Sequence, residues 1–288
     1  MKNKFFSPFL FAALATFAIS MALAEPCVAG NKVAVGANVP SSRQVSIDQV
    51  DHGAWHALLK RFVDQNGNVD YRSWKQSAAD QQALDAYLAQ LSSANPIAQA
   101  TREAKLAFWI NAYNAVTIKG ILREYPTSSI RNHTAKLIGY NIWDDLLLTV
   151  GGKSYSLNQM EHEILRKMGE PRIHFAIVCA SISCPRLLNE AYTADQLEQQ
   201  LTMNSRNFFA NQRNLRFDSS RQHFQLSSIL EWFGEDFGAN QAAQLRTIAP
   251  YFPQGAAQQL ASQGRGSVSY LDYDWGLNDQ ATARTARR

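Results

Sequence analysis

Apolar residues recur along this chain at helical spacing in some stretches and at every second position in others, and one run fits neither. In "GAWHALLKRFVD" (53–64) Trp55, Leu58, Leu59 and Phe62 fall on one face, which predicts a helix stopped by Gln65-Asn66-Gly67. "VDYRSW" (69–74) reads as a short strand or turn. Residues 75–92 repeat the helical pattern through Leu84, Tyr87, Leu88 and Leu91, and Pro96 closes it. In the helix predicted over 102–124, Lys105, Lys119 and Arg123 gather on one narrow stripe and nearly everything else is apolar, so protein should surround it on most sides. Asn114 falls almost opposite the stripe, between Ile110, Ile118 and Ile121, with Asn111 one turn behind. Buried amides need partners, because an unpaired one costs about 1–3 kcal/mol.

The rest alternates strands with short helices. "LLLTVGGKSYSL" (146–157) predicts a hairpin around Gly151-Gly152. Its GGKS fragment is no phosphate loop, since Leu147 stands where the first glycine belongs. "SLNQMEHEILRKM" predicts a helix capped by Ser156, with an apolar arc of Leu157, Met160, Ile164, Leu165 and Met168. Glu161 lies inside that arc and His162 at its edge. Residues 172–179 leave neither face polar and so predict a strand central in a sheet. "YTADQLEQQLTMNSRNFF" reads as a helix capped by Thr193, and "NLRFDSSRQHFQL" as a hairpin. Residues 226–262 read as short helices broken by Gly234, Gly238 and Pro250. "GSVSYLDYDWGLND" supplies a last strand, ended by Gly276. The economical fold is a single α+β domain over residues 46–279, with the central buried helix packed on a small, mostly antiparallel sheet.

The ends follow different rules. Residues 1–24 carry Lys2, Lys4 and no acid, then a run of apolar residues closing on Ala22-Leu23-Ala24, which reads as a secretory signal peptide. Glu25 and Pro26 ahead of Cys27 fit a lipid anchor poorly, so a soluble chain in a periplasm or outside the cell is expected. After residue 24 no apolar stretch approaches the roughly 18 residues of a membrane span. Residues 25–45 read as an unstructured lead and 280–288 as a disordered basic tail. The formal charge of +4 falls to +2 without Lys2 and Lys4, and to −1 without Arg284, Arg287 and Arg288. A nearly neutral body offers no footing for nucleic acid, so the expected partner is a peptide, protein or small molecule. No cofactor motif is present.

The candidate chemistry centres on "RIHFAIVCASISCP" (172–185). Cys179 and Cys184 admit four readings: a disulfide, inert buried thiols, Cys179 as nucleophile, or a metal site. In extended chain their Cα atoms would stand about 17 Å apart, against about 4.4–6.8 Å for a bridge, so "ASIS" would have to curl back. The spacing His174-x4-Cys179-x4-Cys184 lacks the close pairs of zinc sites, and no metal is assigned. A nucleophile needs a base. His174 would point away from Cys179 on a regular strand unless Cys179 lies past its end, and His162 is a second candidate. The plain alternative makes His174 a core residue bonded to a buried carboxylate such as Glu161, in one polar cluster with Asn111 and Asn114. "DQNGNVDY" (64–71) begins like a calcium loop, but Val69 and Lys75 replace its glycine and final glutamate. Asp272 and Asp274 share one strand face, as paired acids at a cleft near Trp275 or as a solvated face.

"NGNVDYRSW", "FWINAYNAVTIKGIL", "SLNQMEHEILR", "PRIHFAIVCASISCPRL" and "YLDYDWGLND" occur in the order seen in the domain-of-unknown-function 547 family, and the chain resembles an exported bacterial member of it over Val45 to Asp279. That resemblance implies a fold neighbourhood without a reaction. A weaker likeness is to papain-like and transglutaminase-like folds, in which Asn111 would take the place of the catalytic cysteine. Two functions follow: a thiol-dependent hydrolase or acyl transferase on peptide or amide bonds, using Cys179, His174, His162 and Glu161, or a binding or scaffold module without chemistry. Cleavage after Ala24 should leave Glu25 as the first residue, and intact mass of the exported protein checks it; a lipid on Cys27 would overturn the soluble assignment.

Overall fold

The structure, a computed structural model, describes residues 32–134 and 139–285; the expected signal peptide, Cys27 and the last three residues lie outside these. Helix α1 (Gly53–Phe62) buries Trp55, Leu58, Leu59 and Phe62, as its spacing predicts. "VDYRSW" is mostly helix rather than strand or turn: the Asp70 carboxylate accepts the Ser73 N–H at 3.1 Å and starts α2 (Tyr71–Gln76). Next come α3 (Ala78–Leu91) and α4 (Arg102–Glu124), the latter capped by the Thr101 hydroxyl. Seventeen of the 23 residues of α4 are buried, so the expected central helix is enclosed almost all round.

Strands are few and short. The segment expected as an unstructured lead contributes β1 (Val33–Val35) and the start of β2 (Val45–Ser46), which pairs in parallel with β3 (Ala94–Asn95). Strand β1 is held because it adds in parallel to the edge of β4 (Leu146–Val150). After α5 (Ile142–Asp145), β4 turns back into β5 (Lys153–Ser156), the predicted hairpin. Gly151 and Gly152 both hold positive φ there, as a tight two-residue turn requires. A third sheet joins β6 (Leu215–Asp218) antiparallel to β7 (His223–Ser227) and β7 parallel to β8 (Ser267–Leu271). The class is α+β, but in place of one mostly antiparallel sheet the strands are spread over three small ones, two mixed and the β2–β3 pair parallel.

Residues 172–179 depart most from expectation: no strand forms. Pro171–Phe175 is a 3-10 helix, and the chain then runs irregularly to Cys179. Both faces are apolar because the segment lies between two cores, not because it is central in a sheet. Ile173, Ala176, Ile177 and Val178 pack into a first core with α1, α3 and α4, whereas Phe175 packs into a second with Phe208, Phe209 and Phe237. Without strand neighbours its peptide groups need other partners. Asn114 supplies them, donating from Nδ2 to Ala176 O at 3.0 Å and accepting the Val178 N–H on Oδ1 at 2.9 Å. Asn111 grips Tyr192 in the same two-point way, at 2.8 and 2.9 Å.

Other boundaries moved for local reasons. Ser156 and Gln159 exchange side-chain and backbone hydrogen bonds in a reciprocal cap, but Gln159–Leu165 then winds as a π-helix. Helix α6 (Leu197–Ala210) starts after a turn at 194–196, and Thr193 does not cap it. Helices α7 (Ile229–Trp232), α8 (Gly234–Phe237), α9 (Gln241–Ile248) and α10 (Ala256–Ser262) match the predicted broken run. Strand β8 stops at Leu271 rather than Gly276, because the chain beyond it pairs with the cysteine segment: Ile182 N–H to Gly276 O at 2.8 Å, Ser183 N–H to Asp274 O at 3.1 Å. The expected tail begins as α11 (Gln280–Thr285), since the Gln280 amide donates to Phe62 O and Asn68 O. Among the described residues no helix is long and apolar enough to cross a membrane.

Asn114→Ala strands one buried carbonyl and one buried N–H at about 1–3 kcal/mol each. We expect denaturant unfolding to show a loss of at least about 2 kcal/mol; an unchanged midpoint would show that the clamp carries no stability.

Candidate functional site

The stretch "CASISC" curls back on itself. Ala180 sits at φ 58, left-handed backbone that a residue with a Cβ rarely adopts, and the Cys184 N–H donates to Ser181 O at 3.1 Å to close the turn. Strain of this kind persists only where the surroundings fix it. Here Asn278 N–H donates to Ala180 O at 3.1 Å, and Ser183 Oγ accepts the Asp274 N–H at 2.9 Å. The turn brings two partly exposed cysteine residues together as free thiols with sulfurs 3.0 Å apart.

Cys179 Sγ is ringed by hydrogen-bonding groups. It lies 3.0 Å from Ser181 Oγ and 3.2 Å from the Tyr273 hydroxyl, besides the Cys184 thiol. The Cys184 S–H is the strongest influence and, with the two hydroxyls and the Ser181 N–H, lowers the Cys179 pKa to about 7 against the opposing effect of burial. Cys184 moves the other way: burial and then the neighbouring Cys179 hold it protonated. Tyr273, pushed up by burial and by the two sulfurs, stays a donor. The charge therefore belongs on Cys179.

Two further groups share the space. Glu161 on the π-helix accepts a hydrogen bond from Tyr113 on α4 at 3.1 Å, and burial raises its pKa. His174 stacks on Phe233, ring centroids 4.2 Å apart, and its Nε2 lies 2.7 Å from Asp236 on α8. Burial holds His174 below the usual imidazole range, against the pull of Asp236. Arg166 donates to Asp236 from Nε at 2.7 Å and reaches His162 Nδ1 at 3.2 Å.

Most of these groups line one cavity of about 280 Å³, with Ser181, Arg166 and Asp236 behind its wall. It contains Cys179, Cys184, Tyr113, Glu161, His162 and His174, with Trp143, Trp232, Phe233, Tyr273 and Trp275 as aromatic walls. The expected catalytic four thus meet in one place, although His174 partners Asp236 and not Glu161, and no histidine is within hydrogen-bond distance of Cys179. Asn111 and Asn114 are not joined to Glu161 or His174 in a single polar cluster; their amides are occupied by backbone, and neither lines the cavity. Asp272 and Asp274 are exposed and outside it, while Tyr273 and Trp275 between and after them turn inward. Asp64, at the start of the calcium-like stretch, accepts N–H groups of Asn66 and Asn68 in its own loop. Sequence reading missed Tyr113, Arg166, Ser181 and Asp236. Alternation with two aspartates places Tyr273 on the face opposite to theirs, but nothing local marks Asp236, which lies 62 residues from its histidine.

The sequence model of the family described as Protein of unknown function, DUF547, matches residues 97–209. That segment carries both cysteines, both histidines, Glu161 and Tyr113, whereas Asp236 and Tyr273 lie beyond it. No curated protein and no solved structure matches the chain.

Alkylation of Cys179 should rise with pH through a midpoint near the lowered value of about 7. Tyr273→Phe removes a donor that favours the thiolate, and a bond to a charged group is worth about 1.5–3 kcal/mol, so the midpoint should climb by about one to two units. Pseudo-first-order labelling rates across pH 5–9 check it; a midpoint unmoved by Tyr273→Phe would remove Tyr273 from the site's electrostatics.

Proposed function

We propose that this chain, a member of the DUF547 family through residues 97–209, is a thiol-dependent hydrolase or acyl transferase acting on a peptide or amide bond. The observation that carries the reading is the Cys179 thiol, ringed by the Cys184 thiol and the Ser181 and Tyr273 hydroxyls at 3.0–3.2 Å, at the wall of an aromatic-lined cavity that also holds a buried carboxyl and two imidazoles; those neighbours lower its pKa. In this reading the Cys179 thiolate adds to the carbonyl carbon, the C–N bond breaks, and the amine leaves with a proton. Glu161, whose proton is retained longer because burial raises its pKa, and the His162 imidazole are the proton carriers on that wall. The thioester is then resolved by water or by an acceptor amine. Trp232, Tyr273 and Trp275, with ring centroids 4.5–5.8 Å apart, hold a planar or apolar part of the substrate.

One observation favours a binding module instead. His174 is engaged by Asp236 and no histidine donates to or accepts from Cys179, so the usual thiol–imidazole pair is missing among the described contacts. The two readings separate on an acyl-enzyme. Incubated with a p-nitrophenyl ester, the full chain should gain one acyl group, mapped by peptide mass to Cys179, absent in Cys179→Ala and released by hydroxylamine. A wild-type chain that stays unmodified at saturating ester would sink the enzyme reading.

A further inference from the structure

The acyl-transfer reading uses Cys179 and gives Cys184 only a supporting part, yet the second sulfur stands 3.0 Å from the first, closer than packing requires of an idle thiol. The approach is built in. Cys184 Sγ also accepts the Cys179 N–H at 2.9 Å, the turn closes through Cys184 N–H and Ser181 O, and Ala180 takes a left-handed conformation inside it. Four residues lie between the two cysteines, so bringing the sulfurs together closes a very short loop, whose entropy the fold has already met. A covalent bridge needs the sulfurs to approach from 3.0 Å to about 2.05 Å, a movement of about an ångström.

We propose that Cys179 and Cys184 form a reversible dithiol–disulfide couple, in which Cys184 resolves oxidised Cys179 and so withdraws the site's nucleophile and later restores it. As regulation of that site, it rests on Cys179 being the nucleophile; as thiol chemistry it can be read without any substrate. The oxidant is a hydroperoxide. The Cys179 thiolate attacks its outer oxygen, the O–O bond breaks, and the alcohol or water leaves with a proton, so that Cys179 becomes a sulfenic acid. Cys184 then loses its proton and attacks the Cys179 sulfur; the S–O bond breaks, water leaves, and the S–S bond forms. Two thiols and one hydroperoxide thus give one disulfide, one alcohol and one water, with two electrons passing from the sulfurs to the peroxide. Two equivalents of a low-molecular-weight thiol, or one dithiol, reverse it.

The order of the steps follows from the charges. While Cys179 is a thiolate, burial and that neighbouring charge keep Cys184 protonated and a poor nucleophile. Conversion of Cys179 to the neutral sulfenic acid removes the second of these causes, so the resolving thiol is released when it has something to resolve. The cavity's aromatic walls and the burial of the sulfurs limit access by bulky oxidants.

The test uses the full chain carrying Cys27→Ser, which leaves these two thiols alone among the three cysteines. Stoichiometric hydrogen peroxide should lower the intact mass by two hydrogens, link the peptides of Cys179 and Cys184, and abolish iodoacetamide labelling, all reversed by dithiothreitol. In Cys184→Ala the same treatment should stop at a Cys179 sulfenic acid that dimedone traps, and proceed to sulfinic acid with excess peroxide. Oxidation of the Cys27→Ser chain to sulfinic acid at Cys179 with Cys184 still free, or no reaction at either sulfur, overturns the proposal. Ester-dependent acylation of the reduced chain is measured separately, so a chain that forms the disulfide but takes no acyl group sinks the enzyme reading while leaving the couple standing.

Discussion

Two side-chain amides on the buried face of α4 hold the rest of this structure in register. Asn111 and Asn114 are buried on α4 and each presents one donor and one acceptor to a peptide segment, as a neighbouring strand would. In a dry interior such groups have no alternative partner, so both ends of each contact must be satisfied together. This constraint lets an irregular segment run through the core without a sheet. A third amide, Asn204 on α6, extends the same arrangement by donating to Phe175 O at 2.6 Å and accepting from Arg186 Nε at 2.7 Å. Three helical amides thus clamp the chain on both sides of the cysteine turn.

The site inherits its geometry from that clamping. Phe175 faces one core and Ala176 to Val178 the other, so the segment is fixed from both sides and delivers Cys179 where packing ends and the cavity begins. The turn that follows stays in a strained conformation because Asn278, Asp274 and Gly276 from the far end of the chain pair with its backbone. Tyr273 arrives in the same pairing. The group that helps set the charge state of Cys179 is therefore placed by the interaction that holds the turn.

Charge in the cavity is divided between two arrangements with different physics. Around Cys179 the donors are neutral hydroxyl and thiol groups, whose dipoles stabilise a thiolate at little desolvation cost to themselves. Around His174 an ion-paired system dominates, in which Arg166 and His174 together hold Asp236 below the usual carboxylate range despite its partial burial. Arg166 also occupies His162 Nδ1, tying the π-helix to α8. The π-helix turns Glu161 from a misfit on an apolar arc into a wall residue of the cavity, bonded to Tyr113.

Periodicity alone determined α1, α3, α4, the 146–156 hairpin and the broken helices after residue 226, because in each the buried face follows from local spacing and one layer of neighbours. It also marked Asn111, Asn114 and Glu161 as residues that had to be buried and polar, whereas a buried His174 was one of two readings of its segment. What it could not supply was their partners. An apolar run on both faces reads equally as a central strand or as a seam between two cores, and only the arrival of Phe208, Phe209 and Phe237 from distant helices decided for the seam. The cysteine turn is held in place by residues nearly a hundred positions away, and Asp236 reaches His174 from a four-residue helix that carries no signal of its own. A hydrogen-bond partner is chosen by proximity in the folded chain, and proximity over such separations is a property of packing rather than of any window of sequence.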